Sequence, residues 1–316
     1  MSMIMEDFFK RDFSSIDYFI FGDIISDRSE YVINNIEHLG LQQVSFVQLT
    51  DITCPNSIPF SRIRNKQIIQ IDKQFGFPSE QLTECLHSIE MRTQKERTHI
   101  AVDLNSLDRE FLLLLCSLLF SIEKNIVIHF IYFSSEFYDI PKWEALKHEK
   151  PMILSTLPGT PCFSSSTLLV LSGFETDALG QLVQCYQPDR LLLGYNKDGV
   201  SPETENANKK LIEEKVSFYK NSPDISVVGF PCDVKNPEKC CSDIQAILEK
   251  EEIMRDGAFC DYVRIASTNT KLALVGTILF VSNFSDVQVV YAKPLNFQEN
   301  ELSKGVKDYY EYVYER

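Results

Sequence analysis

Short apolar runs alternate along the chain with segments whose apolar positions recur every three or four residues. Residues 16–21 (IDYFIF) end in Gly22-Asp23, the pattern of a buried strand entering a turn. Residues 26–39 place Tyr31, Val32, Ile33, Ile36 and Leu39 on one stripe, behind Ser26 or Asp27 as a cap and ahead of Gly40, which predicts a helix. Residues 43–49 (QVSFVQL) read as a second strand, 50–65 as an excursion rich in Pro, Ser and Asn, and about 79–97 as a helix. Strand 99–103 (HIAVD), the nearly all-apolar helix 108–121 and strand 125–133 (NIVIHFIYF) complete the first half.

The second half repeats the alternation. Strands are expected at 167–171, 190–193, 225–230, 262–266 and 287–291, with helices at 176–186, about 203–219, 236–251 and after Thr270. Strands apolar on both faces and separated by helices predict parallel sheets covered on both sides. The fold class is therefore α/β, with two Rossmann-like lobes. The lobes carry a weak internal repeat: IAVDLNSLDREFLLLLCSLLF before NIVIHFIYF parallels VRIASTNTKLALVGTILF before VQVVY. Residues 154–166 (LSTLPGTPCFSSS) form the expected linker, so lobes are assigned to 1–153 and 167–316. The tail YYEYVY at 309–314 suits an edge strand or a partner surface.

Composition narrows the function. The 316 residues hold 45 acidic against 31 basic side chains, a net charge of −14, which argues against duplex nucleic-acid binding. Nine cysteines without a C-x-x-C pair point to reduced thiols and a cytoplasmic location. No export signal is read at the start, and no apolar run approaches the roughly 20 residues of a membrane span, so no membrane partner is expected.

In open parallel sheets ligands bind outside the carboxyl ends of the strands. The residues there include Asp23; Asp103, Asn105 and Ser106; Glu175; and the turn Ser267-Thr268-Asn269-Thr270-Lys271. Thr268 or Thr270 can cap the following helix, and Lys271 in its first turn opposes the helix dipole unless an anion binds nearby. Asp103 and Glu175 are the acid/base candidates if the protein is an enzyme. The turns at Gly22 and Gly173 lack G-x-G-x-x-G, and no Walker loop, H-E-x-x-H, G-x-S-x-G or metal-ligand spacing occurs. Neither a cofactor nor a metal is called for. His129, inside an apolar strand, reads as a satisfied core histidine, and Cys240-Cys241 as buried thiols at a helix start rather than reactive ones.

The turn Ser267–Lys271 followed by LALVG resembles the D-x-T-G-G-T-K type strand-to-helix signature of CRISPR-associated Rossmann-fold (CARF) domains, with Asn269 in place of a glycine. Asp103-Leu-Asn-Ser-Leu-Asp108 resembles a degenerate copy without the lysine. The resemblance extends to the two-lobed SAVED proteins. It implies a regulatory subunit of bacterial antiviral defence that senses a nucleotide second messenger between lobes and acts on a protein effector. Thr268, Asn269, Thr270 and Lys271 would then contact the ligand, with Asp103, Asn105 and Ser106 as counterparts. A nucleotide-processing hydrolase or transferase and a purely structural interaction subunit remain the alternatives.

Overall fold

The structure is a computed structural model that describes residues 13, 15–35, 44–51, 66–71, 82–84, 86–87, 97–122, 125–154, 157, 159, 165–197, 199, 201–295 and 297–316. The excursion from 52 onward, most of the helix expected at 79–97 and most of the 154–166 linker lie outside them. In chain order the elements are β1 (Tyr18–Phe21), α1 (Asp27–Asn34), β2 (Ser45–Asp51), β3 (Lys66–Ile71), β4 (Thr98–Asp103), α2 (Arg109–Leu119), β5 (Ile126–Phe133) and β6 (Phe137–Tyr138). Then come α3 (Ile140–Ala145), β7 (Met152–Ile153), β8 (Ser166–Leu171), α4 (Thr176–Tyr186), β9 (Arg190–Lys197), α5 (Pro202–Lys220), β10 (Ser226–Asp233) and α6 (Pro237–Lys250). The hairpin β11 (Met254–Arg255) and β12 (Ala258–Phe259) precedes β13 (Tyr262–Ser267), α7 (Lys271–Val281) and β14 (Gln288–Tyr291). The short α8 (Glu299–Leu302), β15 (Ser303–Lys304) and β16 (Tyr309–Glu315) follow.

The chain forms two compact units: Met1–Tyr138 with Gln298–Arg316, and Asp139–Phe297. In unit 1 the sheet order is β16-β5-β4-β1-β2-β3, parallel throughout except for β16, which is antiparallel to β5. In unit 2 the order is β10-β9-β8-β13-β14-β7, again parallel except for the last strand. Both are the same doubly wound sheet, with the strand order reversing between β1 and β4 and between β8 and β13. The repeat read in the sequence is thus a repeat of topology.

Burial follows the apolar pattern. In unit 1 Phe19, Phe21, Ala101, Ile131 and Phe133 of the sheet close over Val32 and Ile33 of α1. In unit 2 Leu168, Val170, Leu191, Leu193 and Ala266 pack against Ala178 and Leu182 of α4 and Ile212 of α5. Helix α7 is buried at every position but Leu279, which is why it lacks a polar face. It lies so close to α6 that a Cβ on Gly276 would sit 2.7 Å from Cys240 Cβ.

Local signals set the helix ends. Ser26 caps α1 in a reciprocal box with Ser29, Asp108 accepts from Phe111 N at 2.7 Å, and Thr270 accepts from Ala273 N at 3.1 Å. The tyrosine-rich tail is the outer strand of unit 1. Tyr310, Tyr312 and Tyr314 pack against Tyr132, Phe130 and Phe120, with ring centroids 6.2, 6.1 and 4.7 Å apart. Strand β3 (KQIIQI) was not expected from the sequence. Its glutamines break the apolar run, and only its register beside β2 defines it.

Candidate functional site

In doubly wound sheets a crevice is expected at the carboxyl ends of the strands where their order reverses. In unit 2 that point lies between β8 and β13. Gly173 leaves no room for a side chain there: a Cβ would lie 2.4 Å from the Thr268 carbonyl oxygen, and Gly173 N donates to Thr268 Oγ1 at 3.2 Å. Asn269 Nδ2 donates to the Ser172 carbonyl at 2.8 Å and to Asn196 Oδ1 at 2.6 Å, while its Oδ1 accepts from Thr270 N at 2.8 Å. Asn208, reaching in from α5, accepts from Asn196 N at 2.9 Å and donates to the carbonyls of Ser172 and Gly173 at 2.9 and 3.1 Å. Thr270 Oγ1 donates to the Val234 carbonyl beyond β10.

Two asparagines and a threonine therefore tie together the carboxyl ends of β8, β9, β10 and β13. Thr268, Asn269 and Thr270 are brought together here, each engaged in this network. Lys271 follows at the start of α7 and is 9% exposed. Asn208 was missed by the sequence reading. Its signal is an amide on the inward face of an otherwise charged helix, where a polar residue is expected only if its hydrogen bonds are met.

Unit 1 builds the same junction with a longer turn. Gly22 N donates to Ser106 Oγ at 2.9 Å, and a Cβ on Gly22 would lie 2.2 Å from the Ser106 carbonyl oxygen. Ser106 is thus the counterpart of Thr268. The Ile20–Val102 and Leu171–Ser267 registers show that the unit 1 turn carries three additional residues, Asp103, Leu104 and Asn105. They fold inward. Asn105 substitutes for a strand, donating to the Phe133 carbonyl at 3.0 Å and accepting from Phe133 N at 2.8 Å. Asp103 is fully buried and accepts from Asn105 N at 3.0 Å. With Asp108 and Thr270 as matching caps, Arg109 stands where unit 2 has Lys271, a correspondence the sequence spacing concealed. Asp23 is half-buried in the turn after β1.

Glu175, the second acid/base candidate, occupies the cap position of α4 without capping it. Its carboxylate meets His148 Nε2 at 2.8 Å, with both side chains inaccessible to solvent. Asp177, in the first turn of α4, accepts from His148 N at 2.8 Å and from Lys147 Nζ at 3.2 Å. Burial works to raise the Asp177 pKa, but these hydrogen bonds and the Lys147 charge override it and hold the group below its ordinary value.

His129 of β5 is satisfied by the strands on either side, β4 and β16. It meets His99 Nδ1 at 3.2 Å through Nε2 and Glu311 at 2.9 Å through Nδ1, and Tyr309 donates to the same carboxylate at 3.1 Å. Cys240 lies 3.6 Å from Cys232. Its hydrogen bond with that thiol and its burial push its pKa well up, and burial pushes Cys241 up to about 11, so neither is poised as a thiolate. Among the described residues no three His, Cys, Asp or Glu converge to hold a metal ion. Among them, too, no helix is long and apolar enough to cross a membrane.

No protein-family model matches the chain, and no curated protein matches it. A universal stress protein from Archaeoglobus fulgidus is a structural neighbour at TM-score 0.27 and 13% identity, covering 89% of this chain and 97% of that chain.

Proposed function

We propose that the protein is a sensor rather than a catalyst: a nucleotide-responsive regulatory subunit, cytoplasmic, of the kind that serves bacterial antiviral defence and passes its signal to a protein effector. The observation that carries the reading is the turn Thr268–Lys271 at the switch point of unit 2. It gathers small polar groups and a lysine at the first turn of a helix, where unpaired backbone N–H groups and the helix dipole favour an anionic ligand. Catalysis is disfavoured by the engagement of both acid/base candidates: Asp103 is fully buried, and Glu175 is locked against His148.

A sensor of this kind works by differential affinity. A phosphate at Lys271 has to perturb the Asn208–Asn269 network that links four strand ends, so binding and the arrangement of those ends are coupled. The test is a thermal-shift series with mononucleotides, dinucleotides and cyclic oligonucleotides on the native protein and Lys271→Ala. A ligand at a hundred times its Kd adds about 2.7 kcal/mol of stability. A shift that disappears in Lys271→Ala is expected; no shift with any nucleotide, or one unchanged in the variant, refutes the reading.

A further inference from the structure

The strand ends of unit 1 are covered by the chain itself. After residue 297 the backbone crosses them through α8 and β15, and β15 pairs with β6. Gly305 N donates to Asp27 Oδ2 at 2.7 Å, Lys307 N to the Ser134 carbonyl at 2.9 Å, and Asp308 N to Ser134 Oγ at 3.1 Å. Beneath this strap lies Arg28, in the first turn of α1 and 3% exposed. Its guanidinium pairs with the buried Glu299 carboxylate and donates to Ser303 Oγ at 3.0 Å.

Three observations set this pair apart from ordinary packing. Among the described residues both hydrogen bonds of the guanidinium leave from Nη2, and Nη1 and Nε make none there. Ser135, 2% exposed and joined through its N to Tyr138 OH at 3.0 Å, has a hydroxyl with no hydrogen-bond partner among the described residues. Tyr132, Tyr138 and the buried Asp103 at the end of β4 also interact electrostatically with Arg28. A buried ion pair is a poor source of stability compared with apolar packing. The same arrangement suits an oxyanion that brings more acceptors than one carboxylate does.

We propose that the strand ends of unit 1 form an anion site for a phosphate group, and that Glu299 is its built-in occupant. A tetrahedral phosphate replaces the Glu299 carboxylate on Nη2 and also takes the Nη1, Nε and Ser135 donors. Residues 299–305 then act as a strap released by the competing ligand. The site is in a different unit from the Lys271 turn and stands independently of the role proposed for that turn.

The experiment is calorimetric titration of inorganic phosphate at constant ionic strength, with acetate and chloride as comparison anions, into the native protein, Glu299→Gln and the double variant Arg28→Gln/Glu299→Gln. Removing an internal competitor raises apparent affinity by the inverse of the fraction of time the site was open, at least about tenfold if the strap is mostly closed. Tighter phosphate binding in Glu299→Gln, lost in the double variant and weaker for acetate, is expected. Equal affinity in native and Glu299→Gln protein, retention in the double variant, acetate binding as tight as phosphate, or no binding at all overturns the proposal. Should Glu299→Gln fail to fold, hydrogen exchange of the native protein decides: the Gly305 and Lys307 amides exchange faster in phosphate than in chloride, and unchanged rates overturn it.

Discussion

Replacing Asn269 by alanine tests whether the unit 2 strand ends are held as described. The side chain makes three hydrogen bonds, to the Ser172 carbonyl, Asn196 Oδ1 and Thr270 N. The Ser172 carbonyl keeps Asn208 as a donor, but Asn196 Oδ1, on a residue 6% exposed, is left without one. At about 1 kcal/mol per bond, plus about 1–3 kcal/mol for the orphaned acceptor, the loss comes to about 4–6 kcal/mol. For a unit of this size that lowers the melting temperature by about 10 °C. Circular dichroism melts and urea unfolding read the change, with Asn269→Asp as the companion. The aspartate is isosteric but turns an acceptor toward two acceptors, so it is expected to be at least as damaging at neutral pH. A loss below about 0.5 kcal/mol for the alanine variant, or native stability for the aspartate, would refute the claim that this amide joins the strands.

Gly22→Ala places a Cβ 2.2 Å from the Ser106 carbonyl oxygen, backbone against backbone, and should cost about 2–3 kcal/mol in urea unfolding. Gly180→Ala in α4 meets open space and should add about 0.5–1 kcal/mol in the same assay. Burial first, and then the neighbouring His129, hold the His99 pKa below its ordinary 6.5, with Arg97 assisting and Asp17 and Glu315 opposing. The folded state therefore binds fewer protons than the unfolded one. The His99 contribution is complete above pH 6.5 and is lost as pH falls toward the lowered folded value. A native stability profile that declines across that window and flattens in His99→Gln is expected; an unchanged slope would contradict it.

The α/β order was legible because strands such as IVIHFIYF are buried on both faces and leave a continuous apolar run, while the intervening helices keep a period of three to four. The caps Ser26, Asp108 and Thr270 were equally readable, since capping needs only the residue and the helix start behind it. Less legible were features whose partners are far away in sequence. Asn105 acts as a strand surrogate only because Phe133 ends β5 beside it, and Glu175 meets His148 only because the segment before β7 docks on α4. The Ser106–Thr268 correspondence was hidden by a three-residue difference in turn length, which shifted the apparent alignment of Asp103 with the lysine-containing turn. That YYEYVYE forms a strand is local information; that β5 receives it is not.

The pairing of β16 with β5 bears on how the protein is made. Residues leave the ribosome in order, so the outer edge of β5, among the most apolar strands in the chain, is completed only after all of Asp139–Phe297 has emerged. At ordinary elongation rates that interval is roughly ten to thirty seconds. Throughout it the nascent chain displays an unpaired, aggregation-prone template. Unit 2 has its complete set of strands first and can be finished while unit 1 still waits. Synthesis that stops before residue 309 leaves a product whose sheet edge never closes, a lesion that cellular quality control can recognise by exposure alone.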